Sequence, residues 1–375
     1  MDQTVSGLYR EVFSNSGEKK AKGTELDLRI DVDGERPMNV ISGDIYFSSE
    51  GIREYQSSFI FEEINKTETE ASRILITGKQ GKFDPGLSRF SNIQVTIRSN
   101  SGVPEATVRW TSASGAELKC FCKFSSRYFR RVELEHDYEE SVFPLESYEI
   151  TNLPSPVPHK SMPLSISGAF AEAGIEIIIV KEQQGSIPRP KGKPGEESVW
   201  TDSKLHEAML RHFSKIGDMP QWSVWLLSAS EYVMSNIKGI MIGHEEKKRL
   251  GCAVFQDATG WQSAEEKRMR LFIYIHELGH CFNLRHPWDR SQANSSDAGG
   301  HSTLSWMNYP WMYCPPEKSY EGETFWDAFK FQFSDSELIH LRHGFRNDVI
   351  FGGNTFDGNS DSQSRSSSKK CKRLD

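Results

Sequence analysis

The chain contains the sequence HELGHCFNLRH at residues 276–286, in which three histidines and one glutamate are closely spaced. Residues four apart on an α-helix lie on the same face, so His276 and His280 can direct imidazole nitrogens at one metal ion. A straight helix would turn His286 away from that face, because six further residues make about 1.7 turns. Asn283 stands where a sharp turn is needed, and Asn adopts the left-handed backbone conformation more readily than most residues. The spacing therefore predicts a helix, a turn at Asn283 and a third ligand at His286.

Three histidine ligands leave one coordination position open for water, which is typical of a catalytic zinc site and not of a structural one. Glu277 directly follows the first ligand and is displaced around the helix. From there it can act as a base on that water without binding the metal. These residues predict one catalytic Zn²⁺ ion as the cofactor, held by His276, His280 and His286.

This signature resembles that of the metzincin metallopeptidases, H-E-x-x-H-x-x-G-x-x-H followed by a methionine-containing turn. Asn283 stands at the position of the family's glycine, and SWMNYP at residues 305–310 looks like the Met-turn. The resemblance implies that Met307 forms an apolar floor beneath the metal. It also implies that Tyr309 reaches the zinc or the oxyanion, as the matching tyrosine does in astacin-like and serralysin-like members. The subfamily stays open.

The sequence before the motif predicts the start of the helix. Ser263 and Glu266 form a capping box, in which each side chain can bond the other residue's backbone amide. Apolar Met269, Phe272 and Ile273 then recur at helical spacing. We therefore expect a helix of about five turns that ends at the motif and holds two of the ligands rigidly.

The composition limits the partners that we expect. The chain has 375 residues, 37% of them hydrophobic, with a net charge of −7, which gives no reason to expect nucleic acid. No apolar run approaches the roughly 20 residues that span a membrane, and the first residues do not resemble a secretory signal. The six cysteines show no disulfide-framework spacing, so free thiols are expected. We expect no membrane partner and, by default, a cytoplasmic protein; non-classical export and the oligomeric state stay open.

Residues 1–152 predict a β-rich accessory domain. Short runs rich in β-branched and aromatic residues are separated by Gly, Asn, Ser and Asp, and they fall at 25–32, 40–47, 57–61, 73–77, 93–97, 107–111 and 118–124. Their spacing predicts a β-sandwich. His136 is the only histidine in this part and lies in the charged run 133–140, so we expect it to be solvated. Whether this domain is a prodomain, a substrate-binding module or a folding support stays open.

Prolines 154, 156 and 158 predict a stiff linker over residues 153–163. Strands and helices then precede the predicted metal helix, an order that resembles a metzincin catalytic domain over 164–351. Residues 352–375 are rich in Gly, Asn, Ser and Lys and predict a disordered tail. The predicted fold class is α+β, with an N-terminal β-sandwich-like domain and a metzincin-like α/β zinc-peptidase domain that has a mixed twisted sheet and an active-site helix.

Other residues could hold a metal, but their setting is less favourable. His340 and His343 are three apart and are expected on the polar face of the last helix. A thermolysin-like site would take its third ligand from a later helix, yet the sequence around Glu317, Glu321 and Glu323 lacks that helix's pattern. The specificity pocket is expected along 287–304, where Trp288 and Asp289 can line the pocket, support a ligand or serve the loop.

These residues predict a zinc-dependent endopeptidase that acts on a protein or peptide substrate. Glu277 takes the proton of a zinc-activated water and passes it to the leaving amine, while zinc and Tyr309 stabilise the oxyanion. The alternative is a non-catalytic, zinc-stabilised binding protein whose β-domain recognises a partner. Glu277 argues against that alternative, because a structural site needs no base.

Overall fold

A computed structural model describes most of the chain, namely residues 4–11, 22–50, 52–70, 73–84, 90–98, 102–149, 163–192, 198–243, 249–256, 263–290, 300–316, 319 and 322–354. The predicted linker at 153–163 and tail at 352–375 lie almost wholly outside these residues. The chain divides into two compact units. Unit 1 comprises Met1–Arg130, Gly174–Glu176 and Leu338–Arg346, and unit 2 comprises Arg131–Ala173, Ile177–Glu337 and Asn347–Asp375.

The strands are β1 (Gly7–Glu11), β2 (Lys22–Asp31), β3 (Val40–Ser49), β4 (Ile52–Phe61), β5 (Glu63–Glu70), β6 (Arg73–Lys79), β7 (Lys82–Asp84), β8 (Phe90–Arg98), β9 (Glu105–Ser112), β10 (Glu117–Ser126), β11 (Arg130–Glu139), β12 (Ser147–Tyr148), β13 (Leu164–Ser165), β14 (Ile175–Ile179), β15 (Ser186–Ile187), β16 (Ser223–Ala229), β17 (Gly239–Ile242) and β18 (Gly251–Phe255). The α-helices are α1 (Ile166–Glu172), α2 (Asp202–His212), α3 (Ala264–Cys281), α4 (Pro287–Arg290), α5 (Phe325–Ala328), α6 (Asp335–His343) and α7 (Arg346–Val349). In the described parts of the chain, short 3₁₀ helices span Lys181–Gln183 and Pro310–Met312.

Unit 1 is built on one antiparallel sheet of ten strands in the order β5-β6-β8-β9-β10-β1-β2-β3-β4-β7. Most of these strands bury one face, and the buried faces form a single core that includes Tyr9, Leu28, Phe59 and Val108. The rings of Phe59 on β4 and Trp110 on β9 are 5.9 Å apart, although four strands of the sheet lie between them. The sheet therefore curls over its own apolar face into a half-barrel.

The predicted fold class is wrong. The chain is mostly β, with 41% strand against 22% helix, and its largest element is the curled ten-stranded sheet, in place of a β-sandwich followed by a metzincin-like α/β domain with a mixed sheet. Six of the seven predicted runs fall wholly within strands of this sheet, and the run 25–32 extends one residue beyond the end of β2. Alternating apolar residues predict a strand with one buried face, but they do not tell whether the opposing face comes from a second sheet or from the same sheet rolled over.

The opposite face of β2 and β3 carries a buried polar cluster in unit 1. The Arg29 guanidinium donates to Asp44 Oδ2 (2.6 Å) and to Ser42 Oγ (2.9 Å). Burial alone would raise the pKa of Asp44, but Arg29, Arg130 and the Ser58 hydroxyl together outweigh burial and lower it to about 2. His343 lies against the same cluster, with Nδ1 2.9 Å from Ser42 Oγ and Nε2 3.1 Å from Asp31 Oδ2. The prediction of a polar-face His343 is wrong, because this side chain is fully buried.

We expect unit 1 to lose stability as the pH falls from about 6.5 towards 4. Burial lowers the pKa of His343 to about 4, despite its hydrogen bond to Asp31. The folded-state pKa is below the unfolded-state value, so the unfolded chain binds more protons in this window. The contribution of neutral His343 to stability is complete above about pH 6.5 and decreases as the pH falls towards 4, by as much as about 3 kcal/mol.

Urea unfolding at several pH values between 7 and 4.5 measures this loss. His343→Gln is expected to reduce the pH dependence of the unfolding free energy, whereas His212→Gln on α2 is expected to leave it as in the wild type. Equal pH dependence in wild type and His343→Gln would contradict the assignment.

The second sheet has six strands, in the order β14-β11-β16-β18-β17, with β15 paired to β11. β11 runs parallel to β16 and β16 parallel to β18, whereas β17 is antiparallel to β18. β16 and β18 are buried along their whole length. β17 stands at the end of the strand order, so among the described residues it pairs with β18 alone in this sheet.

β11 includes most of the charged run that was predicted to be solvated, and that prediction is wrong. Its alternate acidic residues are buried, and each accepts hydrogen bonds from unit 2: Glu135 from Ser214, Asp137 from Trp225 and Glu139 from Trp200. His136, on the other face, is also buried, and its Nε2 lies 2.9 Å from Ser228 Oγ. A charge run can thus form a central strand when each carboxylate finds a donor.

Four of the cysteines are free and buried, namely Cys120, Cys122, Cys252 and Cys281, as expected from the sequence. Cys314 is disulfide-bonded, so the expectation of free thiols is wrong at this position. Among the described helices, none is long and apolar enough to cross a membrane.

Candidate metal centre

The histidine motif begins in the last two turns of α3 and continues beyond the end of the helix, in unit 2. Ser263 caps the helix by accepting from Glu266 N (3.2 Å), and Glu266 Oε2 accepts from Ser263 N (2.9 Å), which confirms the predicted capping box. Every residue from Arg270 to Cys281 is buried. The second half of the helix is therefore fixed by packing on all sides, and the side chains that it carries toward the metal centre have little freedom.

The structure brings His276, His280 and His286 together. One ligand atom from each lies within 4.8 Å of the others. The Nε2 atoms of His276 and His280 are 3.1 Å apart. Two nitrogens bound to one tetrahedral zinc at about 2.1 Å would be about 3.4 Å apart, so this pair is close to the separation that zinc requires.

Each of the three imidazoles is held through its other nitrogen. The Nδ1 atoms of His276 and His280 lie 2.8 Å from the carbonyl oxygens of Trp306 and Leu284. His286 Nδ1 lies 3.2 Å from Asp289 Oδ2. Hydrogen bonds of this kind fix the tautomer that carries the proton on Nδ1 and leave Nε2 with a free lone pair.

One buried nitrogen of the cluster is suited to bind a metal ion. His286 Nε2 is inaccessible to solvent and has no hydrogen-bond partner among the described residues. Burial, and next the neighbouring His286, lowers the pKa of His276 to about 3, so this imidazole is neutral at pH 7. Neutral histidines with free Nε2 atoms are the form that binds zinc. The residues present therefore fit a divalent metal ion with a preference for nitrogen ligands.

The turn at Asn283 brings the third histidine back, as the sequence predicts. Asn283 has a φ of 66°, in the left-handed region. Leu284 N donates to Gly279 O (3.0 Å) and Asn283 N donates to His280 O (2.8 Å), the pair of bonds that defines a Schellman motif. The Leu284 carbonyl of the same turn also orients His280. The helix end and one metal ligand are thus parts of one hydrogen-bonded turn.

Asn283→Ala is expected to weaken both the fold and zinc binding. Alanine in the left-handed region costs about 1 kcal/mol. The variant also loses the bond from Asn283 Nδ2 to Asp348 O (3.0 Å), worth about 1 kcal/mol. Asn283→Gly keeps the backbone conformation and loses only that bond. Thermal unfolding gives the unfolding temperature, and competition with a zinc-chelating dye gives the zinc affinity. Both should be highest for the wild type, lower for the Gly variant and lowest for the Ala variant. Equal values for the Gly and Ala variants would contradict this account.

Arg249 holds the C-terminal end of α3. Its guanidinium donates to the carbonyl oxygens of Cys281 (2.6 Å), Ile350 (3.0 Å) and Asn354 (2.9 Å). The side chain is completely buried, and burial lowers its pKa to about 10, which leaves it charged at pH 7. A cation is favourable at a helix C-terminus, where the last carbonyl groups have no partner within the helix. This arginine was not singled out from the sequence, because no local pattern marks it.

Met307 lies under the motif, in contact with the helix. A Cβ atom added at Gly279 would be only 2.3 Å from Met307 Sδ, so the glycine between the two helix ligands is required by the methionine below it. Met307 N donates to Ser305 Oγ (3.0 Å), and Ser305 Oγ in turn donates to the buried carboxylate of Glu337. Asn308, also buried, bonds the carbonyls of His301 and Thr303 through Nδ2. Side-chain hydrogen bonds therefore fix the turn that carries Met307.

Glu277 lies against β17, the strand beside α3. Its side chain is buried. A Cβ atom at Gly239 would lie 2.7 Å from both Cγ and Oε1 of Glu277. The missing side chain at Gly239 thus makes room for the glutamate beside the histidine cluster.

Aromatic rings surround the third ligand. The Trp288 ring stacks on His286 with centroids 4.5 Å apart and planes 7° from parallel, and His301 also stacks on Trp288 (5.3 Å). The Tyr309 ring lies 5.2 Å from that of His276 and 4.8 Å from that of His286. The structure therefore places Tyr309 beside the cluster, together with all three proposed ligands.

The other sequence candidates lie elsewhere. Glu323 accepts a hydrogen bond from Tyr313, while Glu317 and Glu321 lie outside the described residues, as does the part of the expected pocket wall at 291–299. Asp289 and Trp288 support His286, one of the roles that the sequence left open for them. The histidine cluster is the one possible metal-binding group of three or more side chains found in the described parts of the chain.

No family model matches this chain, and a search of the curated proteins gives no match either.

Proposed function

We propose that this protein is a zinc-dependent endopeptidase. The observation that carries the proposal is the orphaned, buried Nε2 of His286 beside two further histidines that have their Nδ1 atoms held and their Nε2 atoms close together. The buried carboxylate of Glu277 follows one of these ligands directly in the sequence. Three histidine ligands with an adjacent glutamate support a hydrolytic centre better than a structural one.

A bound zinc ion would supply a Lewis acid that polarises a carbonyl group and lowers the pKa of water to about 7. Glu277 accepts a proton from the attacking water as the oxygen bonds to the peptide carbonyl carbon. It then returns that proton to the amine nitrogen as the carbon–nitrogen bond breaks. Tyr309, whose ring lies against two of the ligands, would donate to the oxyanion, a contribution worth about 3 kcal/mol in other hydrolases.

Metal analysis and cleavage of an unstructured protein test the proposal together. We expect the purified full chain to contain one zinc ion and to cut casein into peptides. Dialysis against a chelator should abolish cleavage, and added Zn²⁺ should restore it. His286→Ala should lose both metal and activity, whereas His212→Ala, a histidine of α2 outside the cluster, should keep both. A zinc-loaded wild type that leaves casein intact would contradict the proposal and would favour the zinc-stabilised binding protein.

A further inference from the structure

One ring beside the candidate metal centre has an unused face. Trp288 stacks with two imidazoles, those of His286 and His301. Trp311, in contrast, stacks on Tyr309 with centroids 4.7 Å apart and planes 18° from parallel. No other ring or cation contacts Trp311 among the described residues, and 68% of its side chain is exposed. The indole therefore presents one open face two residues from Tyr309.

Hydrogen bonds fix the backbone that carries this indole, and stacking on Tyr309 supports the ring. Trp311 is the middle residue of the 3₁₀ helix Pro310–Met312, in which Pro310 occupies the first position. Met312 N donates to Tyr309 O (2.9 Å) and closes the turn. Tyr309 itself follows Asn308, whose Oδ1 accepts from Tyr309 N (2.8 Å). A rigid, exposed ring loses little conformational entropy on binding, which is the property of a preorganised contact.

We propose that Trp311 determines specificity by stacking with an aromatic side chain of the peptide substrate next to the scissile bond. The inference rests on the proposed peptidase function. The Trp311–Tyr309 pair continues from rings that contact His276 and His286, so a residue bound on the open indole face lies close to the reacting peptide group. An indole buries a large area and gains further from offset stacking with another ring.

The open face distinguishes between side-chain classes. A Phe, Tyr or Trp side chain both covers the indole and stacks on it, whereas Leu only covers it and Ala does neither. An Arg or Lys side chain would bind the same face as a cation. The stacking energy favours the aromatic class by roughly 10-fold in kcat/KM over an alanine at the same position.

Cleavage-site mapping provides the test, with the full-length, zinc-loaded protein and casein as the probe. We expect aromatic residues to be enriched at one position adjacent to the cut bonds. Two synthetic peptides that contain the best site, with Phe or Ala at that position, then give kcat/KM values for each variant. Trp311→Ala should lower kcat/KM for the Phe peptide by roughly 10-fold and leave the Ala peptide within about twofold. Trp311→Phe should keep most of the preference for the Phe peptide over the Ala peptide, because phenylalanine also offers a ring for stacking.

Phe143→Ala is the matched control, since Phe143 is another highly exposed ring of unit 2. This variant should leave kcat/KM unchanged for both peptides. Binding of the intact Phe peptide to the Glu277→Gln protein gives a readout that does not depend on turnover, and Trp311→Ala should weaken it by a similar factor. Cuts without aromatic enrichment, enrichment of Arg or Lys, or an equal loss for both peptides would each overturn the inference while leaving the peptidase function intact. Absence of any cleavage by the zinc-loaded wild type would overturn both.

Discussion

Glu277→Gln is expected to keep the metal and lose nearly all peptidase activity. Glutamine has almost the same shape as glutamate, so it fits the space that Gly239 leaves and should not disturb the histidine cluster. It cannot accept a proton, and general base catalysis contributes roughly 10²–10⁴-fold to rates. We expect kcat to fall by that factor while the zinc content and the unfolding temperature stay close to those of the wild type.

Glu265→Gln is the matched control, because Glu265 is an exposed glutamate in the first turn of the same helix. It should retain wild-type activity. A Glu277→Gln protein that cuts casein at the wild-type rate would refute the role of Glu277, although it would leave the metal site in place. Loss of zinc from this variant would instead make Glu277 a ligand.

Arg249→Met is expected to cause the largest loss of stability of any single change considered. Methionine fills part of the space but donates no hydrogen bond, so two buried carbonyl oxygens and one partly buried carbonyl oxygen lose a charged donor. At about 1.5–3 kcal/mol for each such bond, the free energy of unfolding should fall by roughly 5 kcal/mol. One of these carbonyls belongs to Cys281, the last residue of α3, so zinc affinity should fall as well.

Denaturant unfolding and zinc competition measure the two effects. Arg211→Met is the control, since Arg211 lies on the surface of α2 in an exposed pair with Glu207, and surface pairs contribute little. If Arg249→Met does not fold, Arg249→Lys keeps the charge but cannot reach all three carbonyls, and it should give an intermediate loss. A stable Arg249→Met protein with wild-type zinc affinity would contradict the role assigned to Arg249.

The candidate site follows from the sequence where its geometry is local. Helical periodicity brings His276 and His280 to one face, and the left-handed preference of Asn accounts for the turn at Asn283. Capping rules likewise identify Ser263 as the start of α3. All of these depend on residues within one or two helical turns of each other.

The supports of the site come from distant parts of the chain and were not predictable in this way. Arg249 reaches Cys281 and Ile350 across 32 and 101 residues. Glu337 reaches Ser305 across 32 residues. No periodicity connects such positions, because their proximity is set by the packing of the whole unit and not by local backbone preference.

The fold shows the same division between local and non-local information. The strands of unit 1 follow from alternation, yet the curling of ten strands into one half-barrel depends on contacts such as that between Phe59 and Trp110. β11 shows a second cause of error. Its acidic residues suggested a solvated segment, but the donors that allow Asp137 and Glu139 to be buried lie on other strands and loops.

Gly239 and Gly279 take no part in any chemistry, yet the structure gives neither of them space for a methyl group. In a library in which every position is substituted in turn and selected for activity, both positions should tolerate almost nothing. Positions that carry polar side chains on the surface of α2 should tolerate most changes in the same selection. Glu277 and Met307 already fill the space that side chains at these two positions would take. Such a selection would therefore identify the location of the centre from two residues that have no functional group.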